Sequence, residues 1–235
     1  MEIFKQLDSA SAAAEAGEYL NTFLVENKKS PVLLLLSGGS ALSITNYVGQ
    51  TTLGANLTVS MLDDRYSQDG GINNFLQMQK TEFYQDVLAA EAGFFGTLPR
   101  PLETMEDLRQ RWDKNLKTWR ENNPLGLIIA TLGMGPDGHT AGILPFPEDP
   151  EKFRSLFDGP DWTAAYNAGD KNPYPERITT TLTFLKLIDF SFAFVAGKEK
   201  QEMFNRLTSG EGKQAEHPAM VWREMKNVKI FTDLT

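Results

Sequence analysis

Apolar positions in this chain follow two alternating rhythms. Short continuous runs such as Val32-Leu33-Leu34-Leu35-Leu36, Leu57 to Leu62 and Leu127 to Leu132 are too brief for helices and end at glycine or charged residues. Such runs predict strands buried on both faces. Ile178 to Leu182, Phe190 to Ala196 and Val228 to Thr232 extend the series. Between them, apolar residues recur at helical spacing. Ala12, Ala16, Tyr19, Leu20 and Phe23 place a helix over Ser9 to Asn27, with Asp8 or Ser9 as its cap. Further helices are predicted over Ala41 to Gly49, Thr81 to Ala92, Thr104 to Glu121 and Glu199 to Leu207. Strand alternating with helix predicts an α/β fold, a mostly parallel sheet with helices on both faces.

Pro145 to Pro175 interrupts the rhythm with six prolines: Pro145, Pro147, Pro150, Pro160, Pro173 and Pro175. It reads as an irregular surface excursion, either a plain connection or the border of a ligand site. With no repeat or long linker, residues 1–235 are expected to form one domain.

Hydrophobic residues make up 41% and charged residues 23%, a globular composition rather than a disordered one. Lys and Arg total 23 against 31 Asp and Glu, a net charge of −8. That balance opposes nonspecific binding to nucleic acid or an anionic membrane, which needs a basic face. The absence of cysteine excludes disulfides, thiolate catalysis and Cys-ligated zinc or iron–sulfur clusters, and fits a cytoplasmic setting. No apolar run approaches the roughly 20 residues of a membrane helix. Met1 to Lys5 lacks the pattern of a signal peptide.

Ligands of parallel α/β sheets bind beyond the carboxyl ends of the strands, and three unusual segments leave such ends. Ser37-Gly38-Gly39-Ser40 combines glycines that let a ligand approach the backbone with a following helix N-terminus. It reads as an anion site or as a tight turn with a capping serine; without Gly-Lys-Ser/Thr it is not a P-loop. Asp63-Asp64-Arg65-Tyr66 puts two carboxylates and a guanidinium at a strand end, suited to acid–base work or to a polyhydroxylated ligand, or a solvated turn. Gly133-Met134-Gly135-Pro136-Asp137-Gly138-His139-Thr140 formally matches the dinucleotide fingerprint. Pro136 removes an N–H, however, and Pro145, Pro147 and Pro150 leave no room for the long helix that fingerprint needs. What remains is a loop presenting Asp137 and His139, one of only two histidines in the chain. An imidazole there can act as a base near neutral pH.

Metal catalysis fits poorly with two histidines and no His-Glu-x-x-His motif. Ser40 lies in Gly-Gly-Ser-Ala rather than Gly-x-Ser-x-Gly, which leaves a Ser40–His139 couple as a minor alternative. His217, before Pro218, reads as a surface residue, and Phe94, Phe95, Phe190, Phe192 and Phe194 as core.

Taken together, the segments resemble the 6-phosphogluconolactonase and glucosamine-6-phosphate deaminase/isomerase superfamily. Leu36 to Ser40 is similar to its sugar-phosphate loop, Leu62 to Arg65 with Asn73-Asn74 to its acidic segment, and Gly133 to Ala141 to its most specific signature. Arg177 to Leu182 and Gly197 to Lys200 are similar to two later segments that supply phosphate contacts. The resemblance implies a three-layer α/β/α fold of the NagB/ribose-isomerase type and a small-molecule sugar phosphate as substrate. It implies phosphate contacts from Gly38, Gly39, Ser40, Arg177 and Lys200, and chemistry from His139, with Asp137, Asp63 and Arg65 beside it. No cofactor or metal is implied, and the expected assembly is a monomer or small homo-oligomer. Departures from the pattern are Asp64 in place of Glu, Ala41 in place of Thr, and no Ser before Asn73.

The branch turns on the residues after His139. Deaminases of the superfamily carry a glutamate where this chain has Leu144, and lactonases an apolar residue. Arg65 after the acidic pair is also lactonase-like. The expected activity is hydrolysis of a sugar-phosphate lactone, with deaminase or isomerase chemistry as the alternative and a non-catalytic sugar-phosphate sensor third.

Overall fold

A computed structural model describes residues 1–235. Its elements in chain order are β1 (Glu2–Lys5), α1 (Ser9–Glu26), β2 (Val32–Leu36), a 3-10 helix (Gly39–Tyr47), β3 (Leu57–Met61), β4 (Asp63–Arg65), α2 (Asn74–Met78), α3 (Glu82–Ala89), β5 (Gly93–Phe95), α4 (Met105–Asn122) and β6 (Leu127–Gly133). There follow α5 (Pro150–Phe157), β7 (Thr163–Asn167), β8 (Glu176–Thr180), α6 (Leu182–Leu185), β9 (Phe190–Val195), α7 (Gln201–Ser209) and β10 (Asn227–Thr232).

Seven strands form one sheet in the order β1-β10-β9-β6-β2-β3-β5, and every pairing in it is parallel. The continuous apolar runs follow from burial on both faces. Leu34 and Ile129 share a core with Ala16 and Leu20 of α1, Ile44 of the 3-10 helix and Phe83 of α3. Their neighbours Leu33, Leu35, Ile128 and Ala130 point the other way, into a core with Leu108, Trp112 and Leu116 of α4 and Met203 and Phe204 of α7. Ser60, a polar residue in buried β3, accepts from Trp112 Nε1 at 3.0 Å and donates to the Phe95 carbonyl at 2.9 Å. Of the two caps the sequence allows for α1, Asp8 is the one used, and Thr81 and Thr104 cap α3 and α4 in the same way, each accepting from a first-turn N–H.

A second, antiparallel sheet of three strands, β4-β8-β7, lies outside the first. It corrects two expectations. Asp63 to Arg65 is a short strand rather than a loop, because the chain crosses at Leu62 from one sheet to the other. The strand predicted over Ile178 to Leu182 is Glu176–Thr180 in this smaller sheet, and Thr181 caps a short helix instead of extending it. The proline-rich 145–175 segment is only partly irregular. Asp149 and Pro150 start α5, β7 follows, and Phe146, Phe153, Phe157 and Tyr166 are buried in the core. Aromatic packing overrides a composition that suggests a loop.

Residues 39–47 coil as a 3-10 helix, where an α-helix was expected over Ala41 to Gly49. Ser43 Oγ donates to the Ser40 carbonyl at 2.7 Å and Thr45 Oγ1 to that of Leu42 at 2.8 Å, side-chain bonds that compete with α-helical ones. The tight coil sits against Gly17 of α1, where a Cβ would lie 2.5 Å from Tyr47 Cβ. The helix predicted from Glu199 begins with a single 3-10 turn, Lys198–Lys200, before α7.

Candidate active site

Adjacent strands β9, β6, β2 and β3 carry their carboxyl ends to one edge of the sheet, and the segments leaving them line one cavity of about 310 Å³. Gly38, Gly39 and Ser40 follow β2, Asp63 and Arg65 follow β3, Gly133 to Pro136 and His139 end or follow β6, and Lys200 follows β9. Arg177 enters from the second sheet. Every site residue named from sequence lines this cavity except Asp137, which touches one that does.

That contact fixes the histidine. His139 Nδ1 lies 2.6 Å from Asp137 Oδ1, and the same oxygen accepts the His139 backbone N–H at 3.1 Å. Burial tends to raise the Asp137 pKa, but the hydrogen bond and charge of His139 outweigh it and hold the carboxyl below its ordinary value. An ionised Asp137 takes the Nδ1 proton as a hydrogen bond, so in the neutral imidazole Nε2 carries the lone pair.

The loop around the pair is pinned from several sides. Gly135 N–H donates to the His139 carbonyl at 2.9 Å, and Gly138 N–H to that of Gly135 at 3.0 Å. Thr140 Oγ1 donates to the Gly133 carbonyl at 2.9 Å and accepts from Trp222 Nε1 at 3.1 Å. Gly138 adopts φ +85° and Ala141 φ +49°, so two left-handed residues bracket His139. No helix opens here; the next one starts at Pro150. His217 is not a free surface residue. Its Cα and Cβ pack against Gly138 and its ring against Gly212, Nδ1 lies 3.3 Å from the Asp137 carbonyl, and Ala219 N–H donates to that of Gly138 at 2.8 Å.

Cationic groups gather in the same cavity. Arg65 and Arg177 stand directly opposite each other in the antiparallel β4–β8 register. Like charges so placed repel, which favours an anion between or beside them. Arg177 is only 4% exposed; Nη1 lies 3.8 Å from Asp63 Oδ2, and Nε donates to the Tyr174 carbonyl at 3.2 Å. Burial pushes the Arg177 guanidinium below its ordinary pKa, opposed by the Asp63 charge. Arg65 Nη1 donates to the Ile72 carbonyl at 2.8 Å and to Asn74 Oδ1 at 2.9 Å, and its Nε is buried without a partner. Burial likewise lowers the Lys200 pKa, and the neighbouring acids Glu199 and Asp233 raise it only partly back.

Asn74 joins the acidic segment to the glycine loop. Its Nδ2 donates to the Asp63 carbonyl at 3.1 Å, and a Cβ on Gly38 would overlap its amide. Gly39 adopts φ +62° with open space where a side chain would be, and Gly38 leaves the helix start without a side-chain cap. Asp64 does not line the cavity. Fully buried, it accepts from the backbone N–H groups of Arg65, Asn74 and Phe75 and from Thr97 Oγ1, at 2.6 to 3.1 Å. Desolvation pushes it up to about 7 against the pull of those donors.

Ser40 lines the cavity but makes no hydrogen bond to His139, so the two do not form a couple. Leu144 is 2% exposed and packs in the core rather than in the cavity. The structure holds no group of three or more His, Asp or Glu placed to bind a metal ion, and no helix is long and apolar enough to cross a membrane. The proline-rich segment does border the site, one of the two readings its sequence allows, and does so through Asn172, a residue the sequence does not single out. An Asn-Pro dipeptide signals a turn, and only the fold brings that turn to the site.

A family model described as glucosamine-6-phosphate isomerases/6-phosphogluconolactonase matches residues 7–231. The 6-phosphogluconolactonase of Neisseria meningitidis serogroup A is 27% identical over 217 residues, covering 86% of this chain and 87% of the relative. The solved 6-phosphogluconolactonase of Plasmodium vivax superposes with a TM-score of 0.77 at 15% identity, over 98% of this chain and 89% of that one. The Trypanosoma brucei enzyme gives 0.76 at 17% identity, over 98% and 95%. The layered α/β/α arrangement expected from sequence is the fold of these proteins.

Proposed function

The chain belongs to the glucosamine-6-phosphate isomerase/6-phosphogluconolactonase family, and on that premise we propose that it hydrolyses 6-phosphoglucono-1,5-lactone to 6-phosphogluconate with His139 as general base. One observation carries this reading: an imidazole held through Nδ1 by Asp137 shares a cavity with Arg65, Arg177 and Lys200. The relatives named 6-phosphogluconolactonase support the same substrate.

The phosphoryl group sits among Gly38, Gly39, Ser40, Arg177 and Lys200, where backbone N–H groups and two cations offset its dianionic charge. Asp63 orients Arg177 through their buried ion pair rather than moving protons. His139 Nε2 takes a proton from water as the water oxygen bonds to the lactone carbonyl carbon. Arg65 stabilises the resulting oxyanion; it is tethered at Nη1 and so meets that charge without reorganising. The imidazolium then returns the proton to the ring oxygen as the carbon–oxygen bond breaks. Water adds across the ester, and no other reactant is consumed.

The deaminase alternative needs further proton transfers at the sugar carbons. Leu144, turned into the core, offers no carboxylate for them. A substrate comparison tests the choice. The protein should hydrolyse fresh phosphogluconolactone well above its spontaneous rate and release no ammonia from glucosamine 6-phosphate. Steady ammonia release would replace the lactonase reading by the deaminase one.

A further inference from the structure

Asn172 is a polar cavity residue to which the proposed mechanism assigns no part. It lines the site beside Arg65, Arg177 and Lys200 and is the only lining residue drawn from the 145–175 segment. Its surroundings hold it in place. Asn172 Oδ1 accepts the Tyr174 N–H at 3.0 Å, closing an Asx turn. Tyr174 in turn grips both arginines: its carbonyl accepts from Arg177 Nε at 3.2 Å, and the Arg65 guanidinium lies 5.9 Å from its ring centroid. The other end of the loop is anchored by the Pro175 carbonyl, which accepts from Ala168 N–H at 2.8 Å, and by the 2.5 Å ion pair of Lys171 with Glu148. With Oδ1 engaged and no protein acceptor taking the amide hydrogens, Nδ2 is the polar group this turn has left to offer a ligand.

We infer that Asn172 is a substrate-binding residue that donates its Nδ2–H to the phosphoryl group, extending the site formed by Arg177 and Lys200. The phosphoryl end is favoured over the lactone ring because Tyr174, which closes the Asx turn, hydrogen-bonds Arg177 directly at 3.2 Å, whereas Arg65 lies only over its ring at 5.9 Å. This inference rests on the lactonase reading for its substrate, but it can be measured without turnover.

Asn172→Asp is the informative substitution. The carboxylate still accepts the Tyr174 N–H and keeps the turn, yet it loses the donor and sets a negative charge against a dianion. KM for the phosphorylated lactone should rise at least about ten-fold with kcat within about two-fold of wild type. Asn172→Ala, which lacks the added charge, should raise KM about three- to ten-fold. With unphosphorylated glucono-1,5-lactone the two variants and the wild type should be alike. Calorimetry with inorganic phosphate should show the same weakening in Asn172→Asp. Unchanged KM and unchanged phosphate affinity in Asn172→Asp would overturn the inference, as would a wild type that binds no phosphate. A wild type that binds phosphate more tightly than Asn172→Asp but hydrolyses no lactone would overturn the lactonase reading alone.

Discussion

His139 and Asp137 meet at 2.6 Å across the bare Cα of Gly135. A Cβ on Gly135 would overlap the imidazole and lie 2.5 Å from Asp137 Oδ1. This glycine is required by space, since its φ is not in the left-handed region. Gly135→Ala should therefore displace the ring and lower kcat by about 10²-fold, the lower end of what a general base contributes. KM should change little, because the residues proposed to hold the phosphate are Gly38, Gly39, Ser40, Arg177 and Lys200. Steady-state kinetics with fresh lactone would check the split.

Lys200→Ala and Arg177→Ala should separate binding from folding. Each removes a proposed charge-assisted contact with the phosphate, worth about 1.5–3 kcal/mol, so KM should rise about ten-fold or more while kcat holds. Arg177→Ala also leaves Asp63, itself 5% exposed, without its ion-pair partner. Breaking a buried pair from one side costs about 3 kcal/mol or more. Thermal melting should show a clear loss for Arg177→Ala and almost none for half-exposed Lys200→Ala.

The pH dependence of stability should carry a signature of Asp64. Its pKa rises from the ordinary carboxyl value of 3.8 to about 7 on folding, so between those pH values the folded state binds a proton that the unfolded state releases. The associated stability is fully present below about pH 4 and is lost as pH rises to about 7. Asp64→Asn has no such titration. Tm of the wild type relative to Asp64→Asn should fall across that interval; a constant difference would contradict the assignment.

Much of this site is legible in the sequence, for identifiable reasons. Buried strands such as Val32–Leu36 must be apolar on both faces, so their glycine- and charge-rich exits stand out, and those exits carry Gly38, Gly39, Asp63, Arg65, Asp137 and His139. The role of Arg65 opposite Arg177 is not legible, because antiparallel register between residues 112 positions apart is set by tertiary packing. Short strands such as Gly93–Phe95 and Thr163–Asn167 escape notice because few residues show their alternation. His217 escapes because Gly138, which meets its Cα and Cβ, and Gly212, which meets its ring, are distant from each other in sequence.

Leu144→Glu should not convert the protein to a deaminase. Position 144 packs with Ile143, Phe146 and Tyr166 in the core, so a glutamate there would be buried without a partner instead of reaching the cavity. The expected result is a Tm lowered by about 10 °C or more and no ammonia from glucosamine 6-phosphate. Ammonia production by this variant would show that the side chain reaches the substrate.

The most direct measurement is hydrolysis of freshly prepared 6-phosphoglucono-1,5-lactone by wild type and His139→Asn, each corrected for the spontaneous reaction. Asparagine preserves polarity and approximate size but has no group that titrates near neutral pH. Wild type should turn over rapidly, and the variant should show a kcat lower by about 10²–10⁴-fold with unchanged melting and similar KM. Near-wild-type turnover by His139→Asn would contradict the assignment of His139 as the base.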